Sequence, residues 1–580
     1  MVSMLVRLAG SPFPGKSVAD LAALDPGELL AYRVPTMMSR SSVLLLCLLG
    51  AFAPALGAET LYFEKVELDG AARFVGRFPV VAQDLPKTDA YAVTLDKEGR
   101  LSEISYYRRG RNMPDPVFGA ARLRIAREGD FEVRTWLNSR GLPVSGADGI
   151  AKQRLKLNSD GFATNLFQYD RAGNLKTDAA GVSAYLWVPD AQGQHLRSLR
   201  LDKGGQRTAD RNGVWELELT YDPAGNRTGA IFHDVQSRPQ VGNNGVASYQ
   251  WVYDAAGNVV AETRYDLNGR PCADFDGVGR ITWTYDDRGR VLQKAFWDAS
   301  GRPVPDHLGV ARYRYSYDDK LHVVRTENLG VDGQLTLDDQ GIALRREVWY
   351  DQTNERELRT YGLALNTYYD ALAPALKEGE ERYLLKDDWR GIAVTRMTYD
   401  SDGNEVERKT WNQDLALTAG ESGVPVLKRK FNPQGLVTEE AAFGLGNRPL
   451  ENRDGLSVVR WDYDKAGNNT RKDNFGLGGG LKEDGHGVAS QVWIYDGRGM
   501  RTKQTNLGIL AQTKEDDQGV AIYQWTYDKY GNLAEESHFG IDEKPTEDAS
   551  GAFILRYKVG PGGELQLDAR FDKAGKKLGN

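Results

Sequence analysis

The amino-acid sequence predicts an all-β fold in which tandem 32-residue β-hairpin repeats stack into one long, coiling antiparallel sheet. Three features recurring in fixed phase carry that expectation. A Tyr-Asp-x-x-Gly run appears at Tyr221–Gly225, Tyr253–Gly257 and Tyr285–Gly289, each 32 residues after the last, and the same step links Tyr399, Phe431, Tyr463, Tyr495, Tyr527 and Val559. Its glycines recur with it at Gly467, Gly499 and Gly531. Twelve residues after each marker comes a second turn signal, as in Tyr265-Asp266-Leu-Asn-Gly269-Arg-Pro271, and twenty-four residues after it comes Gly-Val/Ile-Ala, as in Gly245-Val246-Ala247 and Gly519-Val520-Ala521. Self-similarity at a fixed period of this length is the signature of a repeat architecture, not of several unrelated domains.

Along the chain, residues 1–36 lie outside this pattern and are expected to be a mis-assigned or non-structural N-terminal extension. Residues 37–58 read as a signal peptide starting at Met37 or Met38: Arg40 supplies a basic start, Val43–Leu49 an apolar core, and Ala55-Leu56-Gly57-Ala58 the small residues of a cleavage site. That apolar run is too short for a bilayer-spanning helix, so a periplasmic or secreted protein with no transmembrane span after cleavage is expected. Residues 59–94 would cap the array, and 95–366 and 384–580 would form the repeats. Between them, the step from Tyr350 to Tyr399 is 17 residues longer than one period. The excess, 367–383, reads as a helical or loop insertion containing Tyr368, Tyr369 and Asp370, the weak candidates for a binding site.

Each repeat has a readable physical logic. Residues before the marker alternate as a half-buried strand should: in Ala311-Arg312-Tyr313-Arg314-Tyr315-Ser316-Tyr317 the aromatics take one face. Asp-x-x-Gly suits a type I turn, with the Asp side chain capping it and Gly in the left-handed position. A second strand follows, such as Val259–Tyr265, and a loop of roughly ten residues is expected to lead to the next hairpin. Two residues before the marker stand Trp251, Trp283, Trp461, Trp493 and Trp525, which should stack with the tyrosines as a buried ladder between neighbouring hairpins.

Signals of catalysis are weak. The six histidines are scattered singly, without metal-ligand or triad spacing, and the stretch Phe475–Gly480 lacks the Lys-Ser/Thr of a phosphate loop, so no enzyme is expected. A net charge of −7 over 580 residues does not point to nucleic acid. Two cysteines, Cys47 and Cys272, make no disulfide framework. Acidic residues before the Gly-Val/Ile-Ala marker, among them Asp276, Asp339, Asp484 and Asp517, would gather on one edge of the array and are weak candidates for Ca²⁺; no other cofactor is indicated.

The repeated Tyr-Asp-x-x-Gly-Asn/Arg run, with its aromatic strands, resembles the YD-repeat (RHS-repeat) family; Tyr169–Asn174, Tyr221–Asn226, Tyr253–Asn258, Tyr285–Arg290, Tyr399–Asn404, Tyr463–Asn468 and Tyr527–Asn532 carry it best. The resemblance implies a spiralling sheet, as a β-solenoid or shell, and an extracytoplasmic role. Larger relatives enclose a toxic C-terminal domain. Here the repeat runs to Phe571-Asp572-Lys-Ala-Gly575 and its period is stricter, which suggests a distinct branch without that payload. The functional expectation is an exported, non-catalytic scaffold that binds a protein or envelope glycan. The alternatives are a carbohydrate binder using aromatic and acidic loop residues, and a structural shell component of a toxin or delivery system.

Overall fold

The computed structural model describes residues 59–579 apart from 88, 109, 116–117, 147–148, 319–322, 351–352, 366–382, 421–422, 530 and 560–564. Its strands form one antiparallel sheet of 34 strands among the described residues. With few exceptions each strand pairs with its neighbours in the chain. The sheet starts with Phe74–Pro79 at its edge, beside Glu59–Leu68, which also pairs with Asp89–Leu95. It then runs hairpin after hairpin to the other edge strand, Leu565–Phe571. The expected cap, 59–94, is thus the first three strands of the same sheet.

In the repeat that contains Tyr253, Ser248–Tyr253 pairs with Val259–Tyr265, and the register shifts by one residue between Val252 and Tyr253. In the turn, Asp254 Oδ1 accepts the Asn258 N–H at 2.8 Å, Gly257 N–H donates to the Asp254 carbonyl at 3.0 Å, and Gly257 has φ of 79°. This is the expected type I turn closed by a left-handed glycine bulge, whose backbone twist suits a hairpin. The link to the next hairpin departs from the expected loop of roughly ten residues. It holds two further copies of the same turn, Asp266–Arg270 and Asp274–Val278, joined through a bridge between Tyr265 and Pro271. A full repeat therefore carries three turns of this kind, most of them Asx-capped, with Gly in place of the cap at positions such as Gly242 and Gly330. The first sits at one edge of the ribbon and the other two at the opposite edge.

The pleat sorts the side chains. Tyr249 and Trp251 are buried, while Gln250 and Val252 between them are exposed. The Gly-Val/Ile-Ala marker supplies the tightest part of the core: Val246, Val310, Ile342 and Val520 are all at 0% exposure. Burial of a side chain of that kind contributes about 1.5–3 kcal/mol, repeated once per unit, so the core is a string of small clusters and not one central mass.

The ribbon also winds on itself. The Asn138–Gly141 turn meets first turns far along the chain: Asn138 Nδ2–H donates to the Pro433 carbonyl at 3.0 Å, and Ser139 Oγ–H and Arg140 Nη2–H donate to the Asp402 carboxylate at 3.0 and 2.6 Å. One repeat on, Asn174 Nδ2–H donates to the Arg498 carbonyl and Arg171 lies against Gly467. At the start of the winding Arg288 pairs with Glu64, and the Arg108 guanidinium sits 3.1 Å from the Trp349 ring centre. The polar contacts span 263, 295 and 324 residues. Allowing for the long Tyr350–Tyr399 step, one winding is roughly nine repeats, or about eighteen strands, a contour of about 85–90 Å at the usual strand spacing. The sheet is an open coil whose second-turn edge in the first winding seats on the first-turn edge of the second.

Candidate functional site

The repeating aromatics are occupied by the fold. The marker hydroxyls of Tyr221, Tyr253, Tyr285, Tyr317, Tyr463, Tyr495 and Tyr527 each donate to the carbonyl 26 residues earlier, at 2.5–3.0 Å. That carbonyl belongs to the first residue of the preceding hairpin's second strand, so the tyrosine stitches one hairpin to the last. Tryptophan is used similarly. The Nε1–H groups of Trp251, Trp493 and Trp525 donate to Glu262, Gln504 and Glu536, each eleven residues on, at 2.9, 2.8 and 2.7 Å. Trp251 and Trp493 are buried, and Trp283, Trp461 and Trp525 half-buried. Ring stacking runs along single strands, as between Tyr249 and Trp251 at 5.8 Å, and Tyr221, Tyr253 and Trp283 pack against the cluster that holds them.

A polar layer inside this ladder was not anticipated from the sequence. Eleven residues after the marker, a buried polar side chain reaches the cap of the third turn: Arg200 to Asp210 at 2.9 Å, Arg264 to Asp274 at 2.5 Å, and Asn474 and Asn506 to Asp484 and Asp516 at 3.1 Å each. Its signal was a polar residue at constant offset in an otherwise apolar face. The same layer explains the acidic loops. Asp484 spends Oδ1 on the N–H groups of His486 and Val488 and Oδ2 on Asn474. Asp276 N–H donates to the Asp274 cap, and Asp339 and Asp517 donate their N–H groups to the carbonyls of Leu308 and His486 in the preceding third turn. The acidic turns do stack along one edge, as expected, but through backbone bonds. Among the described residues no group of three or more His, Cys, Asp or Glu is placed to hold a metal ion.

The histidines stand apart here too. His195 stacks on Trp187 at 4.1 Å and contacts the Ala163 carbonyl at 3.1 Å; burial lowers its pKa to about 4. His538 is buried between Glu536 and the Ala552 carbonyl; burial opposes its charge, but those hydrogen bonds outweigh it and raise the pKa. His486, on the surface, pairs with Asp517 at 3.1 Å, which raises its pKa through that bond and the carboxylate charge. His322, and with it Tyr368, Tyr369 and Asp370 of the insertion, lies outside the described residues. Cys272 is a free, half-buried thiol in the bridge between the second and third turns. A cavity of about 540 Å³ opens in the seam between windings, lined by Arg171, Asp464, Thr470, Trp493, Tyr495 and Asp496 among others. Burial lowers the pKa of Arg171 there, against the pull of Asp464. No helix among the described residues is long and apolar enough to cross a membrane.

No protein-family model and no curated protein matches this chain. Among solved structures, the crystal structure of TcdB2-TccC3-Cdc42 is similar over 89% of this chain and 26% of its own, at 12% identity and a TM-score of 0.35. That of TcdB2-TccC3-TEV is similar over 87% and 24%, at 13% and 0.36. The chain thus spans about a quarter of the length of these proteins. Likeness of this size adds nothing to the all-β repeat ribbon described above.

Proposed function

We propose that this chain is an exported, non-catalytic scaffold whose wound ribbon presents its turn edges to a macromolecular partner, a protein or an envelope glycan. One observation carries the reading: the recurring Tyr and Trp side chains that would give the protein its binding chemistry have their polar atoms committed to internal stitches. A sugar-stacking platform needs aromatic faces open to solvent, so carbohydrate recognition through the ladder is the weaker reading. The isolated histidines and the Asx-capping role of the acidic residues argue in the same direction against catalysis. Export is supported by the basic–apolar–small pattern of residues 37–58.

The shell-component reading is favoured by one further observation, the seating of successive windings edge to edge. Affinity capture from the native cell envelope tests the scaffold reading, using protein beginning at Glu59 and a variant lacking 367–383. A single defined protein or glycan retained by the first and lost by the second supports it. Retention of nothing by either removes the binding claim and leaves the shell role. Turnover of any envelope substrate by the purified chain would overturn both.

A further inference from the structure

The internal repeats serve as an alignment, and they show a change of chemistry on the solvent face of the pleat. In the register of Gln250, four consecutive hairpins carry Leu186, Glu218, Gln250 and Thr282, and the next five carry Arg314, Arg346, Arg396, Lys428 and Arg460. Their cross-strand neighbours extend the pattern, with each of four carboxylates shared by two cations. Glu327 takes Arg314 and Arg325 at 3.1 and 2.6 Å, and Glu357 takes Arg359 and Arg396 at 2.7 and 2.8 Å. Glu407 takes Lys409 and Lys428, and Glu439 takes Lys430 and Arg460 at 2.7 and 2.8 Å. Arg346 stands directly opposite Arg325 on one side and Arg359 on the other, and has no carboxylate partner among the described residues. Arg312 adds a tenth cation to this face, and Glu355 and Asp462 bring its carboxylates to six, on a chain whose net charge is −7.

The positive charge lies outermost. The four shared carboxylates are 1–20% exposed, whereas Arg314, Lys430 and Arg460 are 53, 72 and 56% exposed. Several of the cations are also held in place over rings: Arg396 over Tyr350 and Trp411 at 5.6 and 5.8 Å, Lys428 over Phe443 at 5.0 Å, and Arg460 over Phe475 at 4.8 Å. Like charges set directly opposite each other weaken a sheet, so Arg325, Arg346 and Arg359 are not a row that the fold itself selects. The face looks outward, because the first hairpin packs on the opposite, aromatic face, where Ala72 meets Leu155, Tyr185 and Trp187. From Arg312–Tyr317 to Val458–Tyr463 the stripe crosses nine strands. That is about 38 Å at the usual strand spacing, so the surplus is about one positive charge per 10 Å. Nine strands are half a winding, and a flat bilayer cannot follow them around the coil. A flexible linear polyanion can. A nucleic-acid strand carries a charge about every 3.4 Å, far denser than the stripe. A polysaccharide with one acidic group in each two-sugar repeat matches the spacing.

We propose that this outward stripe binds an acidic polysaccharide that runs along the winding direction, across the strands, with the surplus cation of each hairpin receiving one acidic group. Arginine supplies the paired donors that such groups accept. The proposal goes beyond the scaffold reading in placing a partner on the face of the ribbon and not at its turn edges. It rests on that reading only for export, which brings an envelope glycan within reach.

Binding of fluorescently labelled hyaluronan, which has one carboxylate in each two-sugar repeat, tests it at low ionic strength and with added salt. The face variant is Arg314→Gln/Arg346→Gln/Lys428→Gln/Arg460→Gln, which leaves every shared carboxylate at least one of its cations. The control, Arg238→Gln/Arg270→Gln/Arg302→Gln/Lys544→Gln, removes four exposed cations from second turns and therefore the same net charge. Far-UV circular dichroism checks that both fold. The wild type should bind hyaluronan and not neutral dextran, and more weakly as salt screens the charges. The face variant should bind about tenfold more weakly, and the control like the wild type. A wild type that does not bind hyaluronan overturns the proposal, as does equal weakening in the two variants. Tighter binding of poly-glutamate or oligothymidylate, lost in the face variant, would assign the stripe to an acidic protein segment or to nucleic acid and overturn the glycan. A face variant that binds hyaluronan like the wild type overturns the proposal and leaves the scaffold reading, with its own capture test, standing.

Discussion

Replacing Tyr253 with Phe removes one atom from the repeat and isolates what the marker tyrosine contributes. Its hydroxyl donates to the Arg227 carbonyl at 2.6 Å, across the boundary between two hairpins. A net contribution of about 0.5–1.5 kcal/mol is usual for such a bond, and a buried carbonyl left without its donor costs about 1–3 kcal/mol. With Tyr253 half-buried, a loss of about 1–2 kcal/mol is expected. Because units in an array are coupled chiefly to their neighbours, the loss should be local. Hydrogen exchange followed by mass spectrometry should show faster exchange in Arg227–His233 and Ser248–Tyr253, with little change beyond Tyr399. The chain contains its own control, since Phe431 occupies the marker position without a hydroxyl. The carbonyl 26 residues earlier is that of Glu405, so Phe431→Tyr should slow exchange in Glu405–Trp411. If Tyr253→Phe exchanges like the wild type and Phe431→Tyr changes nothing, the tyrosine is there for its ring alone and the stitching argument fails.

Other consequences are equally specific. His195 is held to a pKa of about 4 by burial, against about 6.5 when unfolded. The unfolded chain therefore takes up the proton first, and stability present above pH 6.5 is lost as pH falls towards 4, by about 3 kcal/mol at most. In urea titrations between these pH values His195→Phe should flatten that dependence while keeping the stack on Trp187. Across the seam, Arg140→Ala and Asp402→Ala should each weaken the contact by less than about 1 kcal/mol, the pair being partly exposed, and a double-mutant cycle should find them coupled. Calcium at millimolar concentration should move the melting temperature by less than about 1 °C, since the Asp484 carboxylate is already bonded at both oxygens. Gly540→Asn should raise stability by about 1 kcal/mol in thermal unfolding, by restoring the Asx cap that Asn412 gives the corresponding turn without adding charge beside Asp542 and Glu515.

Much of the architecture was legible because the hairpins are specified locally. The Tyr-Asp-x-x-Gly run contains both the cap and the glycine that the turn needs, and the alternation before it places Trp251 and Tyr249 on the inner face. The third turn escaped because its two halves were assigned to different features. Asp484 and Asp517 were grouped as acidic loop residues, and Gly519 as part of the Gly-Val/Ile-Ala marker, although Asp516-x-x-Gly519 repeats the motif of Asp254-x-x-Gly257. The polar layer of Arg200, Arg264 and Asn474 was visible only as an offset, with no sign of what each would meet. The seam had no local signal at all. Contacts such as Asn138 with Pro433 are set by twist accumulated over about eighteen strands, a property of the whole sheet.

The second turns show that capping does not govern every choice in the repeat. Second turns inside or near the seam begin with Asn138, Asp170, Asp202 and Asp234, whose side chains cap them. Further along, Asp266, Asp298 and Asn412 keep that cap, but at Gly330, Gly444, Gly476, Gly508 and Gly540 it is gone. These glycines are not at positive φ, so the backbone does not demand them. At Gly540 an added Cβ would meet nothing closer than 3.5 Å, so space does not demand it either. A turn that gives up a cap worth about 1 kcal/mol while gaining an exposed Leu or Ile next to it is poorer as an isolated turn. Yet Asp266 keeps its cap beside Leu267, which is as exposed as Leu477 and Ile509, so the missing cap and the aliphatic tip are separate choices. Gly540→Asn, which leaves Ile541 in place, therefore tests the cap by itself: a gain of about 1 kcal/mol in thermal unfolding shows that the glycine costs the turn its bond, and no gain refutes the capping account.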